Sequence, residues 1–369
     1  MPEQSHSFKN QTWRRLKKNK GAMFGLVVIA LAFFIALFGY WIAPDNSPNA
    51  DWQTVEIAAK KPGYTQLFFR VADSLNSFPG SFILTLTSGR RANYRYIPIT
   101  SYSIKGDSFL INKYVDEDTS TMLLYPVQKF PGVTKEKLIS QHIISKKYWL
   151  GTDKFGRDIL SRLIIGTRVS LAVGLIAVFI SLTIGILLGA AAGYYKGKTD
   201  AVIMWLVNVT WSIPTLLLVF AITLALGKGF WQIFIAVGLT MWVSVARLVR
   251  GQVMAVRELE FVQAARALGF SDGRIITKHI LPNILSPIMV IAASNFATAI
   301  IIEAGLSFLG IGVQPPQPSW GLMIKENYNF IITHNPMLAL VPGFAIMLLV
   351  LAFNLLGNGL RDATDVKNI

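Results

Sequence analysis

The sequence predicts an all-α membrane protein with six transmembrane helices and one inserted, mostly β-structured domain. Three observations support this fold class. Of the 369 residues, 53% are hydrophobic, and the mean hydropathy of +0.48 is too high for a soluble globular domain. Six stretches without Lys, Arg, Asp or Glu are each long enough to cross roughly 30 Å of hydrocarbon. Between the first two stretches lie roughly 100 residues of different composition, which is an ordinary domain size.

The six predicted spans divide the chain into segments with different expected environments. The spans are residues 21–43, 169–195, 201–227, 229–246, 284–302 and 337–359. A basic segment (1–20) precedes them, the insert occupies 44–148, the membrane core with spans two to six and a polar loop (247–283) occupies 149–359, and a tail (360–369) follows. The apolar run after Lys20 is longer than that of a secretory signal, so we expect it to be a retained first span.

Lys and Arg are concentrated in the short connections on one side of the predicted membrane. Six basic residues lie between Lys9 and Lys20, and six more lie between Arg247 and Lys278. Because positive charge in short connections marks the cytoplasmic side, we expect both termini and the polar loop to be cytoplasmic. The net charge of +15 follows these membrane borders, which favours membrane lipid and not nucleic acid as the neighbour. The sequence has no cysteine, which excludes disulfides and thiolate metal sites.

The insert has the pattern of short strands. Runs rich in β-branched and aromatic residues are separated by Gly, Pro, Asn or Asp, which is typical of strands and turns. The predicted strands are residues 64–71, 81–87, 94–104, 109–115 and 122–130, and residues 135–147 have a more helical pattern. We therefore expect a small extracytoplasmic α+β domain with one helix.

The polar loop contains a short amphipathic helix with a clear end. From Leu259 onward, Phe261, Ala264, Ala265 and Leu268 recur at helical spacing on one side. Gly269 suits the left-handed residue that ends a helix. The alanines on this side would let a partner surface approach the backbone closely. The alternative is a surface loop with an incidental helix.

The spacing of Ala264-Ala265, Gly269 and Leu281-Pro282 resembles the EAA loop of ABC-importer permeases. That family's loop lies in a groove of the ATP-hydrolysing subunit and transmits its movement to the membrane. Gln263 stands where the family pattern has glutamate, and His279 begins the His-x-Leu-Pro-Asn run common in the peptide-importer branch. The resemblance implies an ATPase-coupling role for Phe261, Gln263, Ala264, Ala265, Leu268, Gly269, His279 and Pro282.

Three further blocks are similar to the oligopeptide and dipeptide importer permeases, and most similar to their C-type subunit. They are residues 303–321, residues 150–171, and the pair of runs 342–343 and 354–362, in which Asn358 replaces a usual aspartate. The resemblance covers residues 10–43 and 149–369 and implies the type I ABC importer permease fold. The candidates for the pathway or its outer gate are Glu303, Ser307, Asn295 and Trp320. From charge alone, two interpretations of Glu303 are equally supported: it marks a polar pathway, or it reaches the lipid headgroups.

The resemblance implies a permease subunit of an ATP-driven di- or oligopeptide importer in a bacterial cytoplasmic membrane. The implied partners are a B-type permease subunit, two ABC ATPase subunits that bind ATP and Mg, an extracytoplasmic substrate-binding protein and the peptide. Import of nickel or another small solute is an alternative within the family. A self-sufficient secondary transporter is disfavoured because it would be expected to carry charged residues within its spans for proton coupling, and these six spans contain no Lys, Arg, Asp or Glu. A membrane-anchored binding module would leave the polar loop unexplained.

We expect no catalysis and no cofactor in this chain itself. The run Gly193–Thr199 resembles a nucleotide-binding loop but has three residues between its glycines where the phosphate loop needs four. The four histidines, His6, His142, His279 and His334, are too scattered to indicate a metal site.

Overall fold

The computed structural model describes residues 8–72, 82–90, 94–105, 108–126, 139, 141–227, 229–333 and 335–364. The helices are α1 (Phe8–Lys18), α2 (Lys20–Ile42), α3 (Phe82–Ser88), α4 (Ile159–Tyr195), α5 (Gly197–Trp211), α6 (Thr215–Leu226), α7 (Phe230–Arg257), α8 (Glu260–Ala267), α9 (Asp272–Phe308), α10 (Trp320–Asn327), α11 (Phe330–Thr333) and α12 (Met337–Thr364). The strands are β1 (Tyr64–Ala72), β2 (Tyr94–Lys105), β3 (Ser108–Tyr114), β4 (Ser120–Pro126) and β5 (Ile143–Tyr148). His6 and His334, the first seven residues of the basic segment and the last five of the tail lie outside the described residues.

The chain divides into two compact units. The helical unit comprises Met1–Phe33, Val169–Gln314 and Phe344–Ile369, and the sheet unit comprises Phe34–Arg168 and Pro315–Gly343. The division falls within α2, α4 and α12.

Within the described residues, five helices are long and apolar enough to cross a membrane, and a sixth span is present if α5 and α6 count as one. The five are α2, α4, α7, α9 and α12. The third predicted span (201–227) is not one straight helix, because α5 and α6 are bent by 92° at a break before Thr215. Pro214 explains the break, since proline has no N–H to donate and disfavours helical backbone in the residue before it.

Glycines bring α4 close to the backbone of α7 in the helical unit. Gly185, Gly189 and Gly193 recur every four residues, and a Cβ built on each would lie 2.5 to 2.9 Å from the Cβ of a valine on α7. The facing valines are Val245, Val249 and Val253. No side chain larger than hydrogen fits at these positions without displacement, which is how small residues allow membrane helices to pack closely. The sequence analysis did not single out this repeat.

The sheet unit is built on an antiparallel sheet with strand order β4-β3-β2-β1-β5. Phe69, Ile97, Ile99, Phe109 and Ile111 form a buried cluster on the sheet. The strands predicted at 64–71, 94–104 and 109–115 are confirmed, and the one at 122–130 is confirmed as far as Pro126, since residues 127–130 lie outside the described part of the chain.

Two predictions for the insert are wrong. The strand predicted at 81–87 is replaced by a helix, since α3 covers Phe82–Ser88; residue 81 lies outside the described ranges. Arg168 donates to the carbonyl oxygens of Leu86 (2.5 Å) and Thr87 (3.1 Å) at the end of α3. A cation at a helix C-terminus stabilises the helix, so tertiary contact overrides the local β propensity. The helix predicted at 135–147 is wrong at its end, where β5 pairs with β1; residues 135–138 and 140 lie outside the described ranges.

The sheet unit also contains a buried cluster of charges, which we call the arginine cluster: Asp51, Asp153, Arg157, Arg162 and Glu326. Arg157 is 2% exposed and lies 2.6 Å from Asp153, 2.7 Å from Glu326 and 3.1 Å from Asp51, measured between nitrogen and oxygen. Arg162 lies 3.4 Å from the same Glu326 oxygen. The cluster joins the segment after α2, the segment before α4, and α10.

Candidate functional site

The helix predicted in the polar loop is present as α8, from Glu260 to Ala267. Gly269 has φ of +77°, which confirms the left-handed residue expected after the helix. A Cβ on Gly269 would meet no atom within 4 Å, so the backbone conformation and not crowding favours glycine at this position.

The two faces of α8 have different roles. Val262 and Ala265 are 1% and 4% exposed and form the α8 inner face, which packs in a cluster with residues of α4, α7 and α9. Phe261, Ala264 and Leu268 form the α8 outer face, where Phe261 is 42% and Leu268 is 74% exposed. This outer face is apolar and has no partner within the described part of this chain.

Ala265 has the expected helical spacing from Phe261 and Leu268, but it does not share their exposure. Position 265 lies four residues after Phe261 and three after Val262, so it is at the border between the two faces. Because residues of α4, α7 and α9 pack beneath Val262, Ala265 is buried against this chain. A larger residue at 265 would disturb the base of α8 and not a docking surface.

Tyr194, at the end of α4, holds α8 and α9 in place. Its hydroxyl donates to Asp272 Oδ1 at 2.7 Å. Arg257 donates to the Tyr194 carbonyl oxygen, and the guanidinium groups of Arg257 and Arg266 lie 5.5 and 5.4 Å from the centre of the Tyr194 ring. Such cation–π contacts add to the packing of the inner face. The base of α8 is therefore fixed by polar contacts as well as by apolar burial.

The start of α8 is held by Glu258. Lys196 Nζ lies 2.7 Å from Glu258 Oε1, and this contact lowers the pKa of Glu258. Gln263, which stands where the EAA pattern has glutamate, donates from Nε2 to the Glu258 carbonyl oxygen at 3.0 Å. An exposed ion pair of this kind contributes little to stability, so its main effect is on the position of the loop.

His279 and Pro282 lie in the first turns of α9. The His279 ring stacks on Phe270 with centroids 5.8 Å apart, and Arg274 lies 4.3 Å above the Phe270 ring. The His279 carbonyl oxygen accepts from Asn283 Nδ2 at 2.6 Å. Around them the helix changes from a π turn (Ile275–Ile280) to a 3-10 turn (Leu281–Ile284), and Pro282 is exposed. His279 therefore contacts this chain, and Pro282 faces outward.

The pathway candidates lie in two different units. In the helical unit, Glu303 and Ser307 are buried on α9, and Ser307 Oγ lies 2.7 Å from Glu303 Oε1 and 3.0 Å from the Val313 amide nitrogen. Asn295 is also buried on α9, and its Nδ2 has no hydrogen-bond partner among the described residues. Trp320 belongs to the sheet unit, where its Nε1 donates to the Leu163 carbonyl oxygen at 3.0 Å. Their role in a pathway stays a prediction.

Sequence reasoning missed Val262, Tyr194 and Asp272. The signal for Val262 was present, since Val262 and Ala265 are three residues apart and both apolar. The contact between Tyr194 and Asp272 joins residues 78 positions apart, so no local pattern in the sequence links them. In the described ranges, no group of three or more His, Asp or Glu side chains could hold a metal ion.

The long apolar helices and the α8 loop define a multi-pass membrane component, and comparisons with known proteins identify its family. The model of the binding-protein-dependent transport system inner membrane component matches residues 185–367. The model of the N-terminal TM domain of oligopeptide transport permease C matches residues 7–61.

Curated relatives are similar over most of their length. The glutathione transport system permease protein GsiD of Pectobacterium atrosepticum is 44% identical over 223 residues, which cover 60% of this chain and 74% of that protein. The dipeptide transport system permease protein DppC of Alkalihalophilus pseudofirmus is 46% identical over 223 residues, covering 60% and 73%. A chain of the inward-facing MetNI methionine ABC transporter aligns with a TM-score of 0.47 and 20% identity, over 56% of this chain and 98% of that chain.

This chain belongs to the family of binding-protein-dependent inner-membrane transport components, in the branch of peptide ABC-importer permeases. It is a transport subunit and not an enzyme, because the matched relatives are permease proteins.

Proposed function

We propose that this chain is the C-type permease subunit of an ATP-driven importer of di- or oligopeptides. The family supports the role of permease, and the names of the relatives, a glutathione and a dipeptide transport permease, support a peptide as cargo. In this proposal the chain pairs with a B-type permease, receives peptide from an extracytoplasmic binding protein, and is driven by two ATPase subunits that bind ATP and Mg.

The single observation that carries the coupling mechanism is the contrast between the two faces of α8. The outer face offers Phe261 and Leu268 to a partner, and the inner face joins α8 to α4, α7 and α9. An ATPase groove that closes around the outer face would move α8, and the inner face would transmit the movement to α7 and α9. ATP shifts the transporter only if it binds the two states with different affinity.

Phe261→Asp and Leu268→Asp test the outer face. Each places a charge on the proposed contact without touching the α8 inner face, and loss of a central apolar contact commonly weakens an interface about tenfold or more. In proteoliposomes with the partner subunits and binding protein, we expect substrate-stimulated ATPase activity and peptide uptake to fall together. Lys278→Gln, an exposed change in the same loop, is the matched control. Unchanged coupling in the Phe261→Asp, Leu268→Asp double variant would reject the outer face as the contact.

We propose further that both termini and the α8 loop are cytoplasmic and that the insert (44–148) is extracytoplasmic. The distribution of Lys and Arg supports this topology. The chain has no cysteine, so Ser271→Cys and Ser88→Cys each introduce a single reactive thiol. An impermeant reagent should label Ser271→Cys only from the cytosolic side and Ser88→Cys only from the outside. Labelling of Ser271→Cys from outside would overturn the topology.

A further inference from the structure

The sheet unit contains a cavity of about 220 Å³ beside β5. The residues that define its chemistry are Asp45, Trp52, Lys146, Tyr148, Trp149 and Asp158. All of them belong to the sheet unit, and none of them takes part in the α8 loop. With Lys147, which also lines it, the cavity combines two carboxylates, two lysines and an aromatic wall.

The acidic part of the cavity contains a carboxylate oxygen, Asp158 Oδ1, that is available to accept a hydrogen bond. Asp158 is 5% exposed, and its Oδ2 accepts from the amide nitrogen of Ser161 at 2.9 Å and from the Ser161 hydroxyl. Its Oδ1 has no hydrogen-bond partner in the described part of the chain. Asp45 is also 5% exposed, but both of its oxygens accept from backbone amides, those of Ser47 and Trp52. A buried carboxylate oxygen without a hydrogen-bond donor raises the free energy of the folded state, so a ligand that donates to Asp158 Oδ1 would be stabilised there.

The basic part of the cavity contains the Lys146 ammonium group, which is available to donate hydrogen bonds. Lys146 Nζ lies 3.3 Å from the centre of the Trp52 ring and 5.1 Å from that of Tyr96. Its ammonium group forms no hydrogen bond or ion pair with the described residues. Burial lowers the pKa of Lys146 to about 8, against the opposing effect of Asp45 and Asp158. At neutral pH the lysine therefore keeps its charge and up to three hydrogens that have no acceptor.

The size and charge of the cavity indicate which ligand could form hydrogen bonds with both the Asp158 carboxylate and the Lys146 ammonium group. A volume of about 220 Å³ is far more than the roughly 30 Å³ share of one liquid water, so a single bridging water would not fill it. The lining has two carboxylates, Asp45 and Asp158, and two lysines, Lys146 and Lys147. Since these charges balance, the site favours a ligand that is itself neutral overall but carries both signs.

We propose that this cavity binds a small zwitterion of the amino-acid or dipeptide class, with its carboxylate on Lys146 and its ammonium group on Asp158. Trp52 and Trp149 provide apolar surface for the rest of the ligand. The proposal is independent of the coupling face, because no residue of the helical unit contributes to the site.

Calorimetric titration of the purified full-length chain in detergent tests the site. The probes are L-alanine and L-alanyl-L-alanine, compared with N-acetyl-L-alanine, which has only the carboxylate, and L-alaninamide, which has only the ammonium group. At pH 7 we expect both zwitterions to bind and each half-charged analogue to bind about tenfold more weakly, as the loss of one charged hydrogen bond predicts. Absence of binding by both zwitterions up to about 10 mM, or equal binding of all four probes, would overturn the proposal.

Variants assign the two contacts. Lys146→Met and Asp158→Asn should each weaken zwitterion binding about tenfold. Asparagine caps a helix as well as aspartate does, so Asp158→Asn preserves the contact to Ser161 at the start of α4. Lys105→Met, at an exposed position on β2, is the matched control and should bind as the unmodified chain does. If Lys146→Met does not fold, Lys146→Gln replaces it. Unchanged binding in a folded Lys146 variant means that the cavity does not hold the ligand's carboxylate and rejects the assignment.

Discussion

The helical unit and the sheet unit are stabilised by different kinds of contact. In the helical unit, α4 and α7 pack closely because Gly185, Gly189 and Gly193 have no side chains to separate them. In the sheet unit, Arg157 is almost fully buried with three carboxylates around it, and aromatic rings line the sheet.

The difference indicates which kind of substitution each unit tolerates. A glycine contact depends on shape alone, so a larger side chain is penalised by crowding and the loss grows with its volume. A buried charge depends on its partners, so removal of one partner leaves an uncompensated charge even when the shape is kept. We therefore expect the sheet unit to be more sensitive to changes of charge and the helical unit to changes of size.

Arg157→Met should have the largest effect. The substitution keeps much of the side-chain volume but leaves Asp153 and Glu326 without their main partner, which costs about 3–5 kcal/mol for a buried pair. Thermal denaturation of the purified chain in detergent should show a large loss of stability. Lys154→Met, at the exposed neighbouring position, is the control. Equal stability of the two variants would show that the arginine cluster does not stabilise the sheet unit.

Gly189→Val should be the next most damaging change. A Cβ at this position would lie 2.5 Å from the Ala246 carbonyl oxygen and 2.9 Å from the Val249 Cβ, so α4 and α7 must separate. Overpacking of this kind costs about 1–3 kcal/mol. Gly251→Ala, also on α7, is the matched control, because a Cβ at this position would meet no atom within 4 Å. The same denaturation assay compares them, and a Gly189→Val chain as stable as Gly251→Ala would contradict close packing at this contact.

The two faces of α8 sharpen the comparison on a smaller scale. Val262→Ala removes two buried methyl groups and should lower the free energy of unfolding by about 1–2 kcal/mol. Leu268→Ala, on the exposed face, should change it by no more than about 0.5 kcal/mol. Denaturation of both variants in one detergent gives the difference. A larger effect at Leu268 than at Val262 would reverse the assignment of the faces.

The smallest expected effect is on the titration of Lys146. Asp158 raises the pKa of this half-buried lysine, so Asp158→Asn should lower the pKa below about 8. NMR titration of the ¹³C-methylated lysines measures it, with Lys146→Gln identifying the resonance and the exposed Asp118→Asn as control. A higher midpoint in Asp158→Asn would show that the carboxylate does not act on Lys146. Because burial lowers this pKa from 10.5, the stability contributed by Lys146 should rise with pH between about 8 and 10.5.

The parts of the fold that local patterns determine could be predicted from the sequence. Hydropathy located five spans, strand periodicity located β1 to β4, and the loop pattern located α8 and Gly269. The errors arose where distant residues decide the structure. Arg168 stabilises α3 from 80 residues away, and β5 is a strand because β1 pairs with it. The burial of Ala265 depends on the cluster beneath α8: its spacing is compatible with either face, and contacts with α4, α7 and α9 decide which one it joins.

The contact between α4 and α7 repeats along its own length. Gly185, Gly189 and Gly193 face Val245, Val249 and Val253, and both series advance by four residues in the same direction. A slide of one helix along the other by four residues, about 6 Å, would again place two of the three valines against glycines. The glycine–valine series alone therefore defines the register of these helices only to within one repeat. Contacts beyond the series distinguish one register from the next: a Cβ on Gly238 of α7 would lie 2.7 Å from the Ile180 Cβ of α4, and at the other end the Arg257 side chain donates to the Tyr194 carbonyl oxygen.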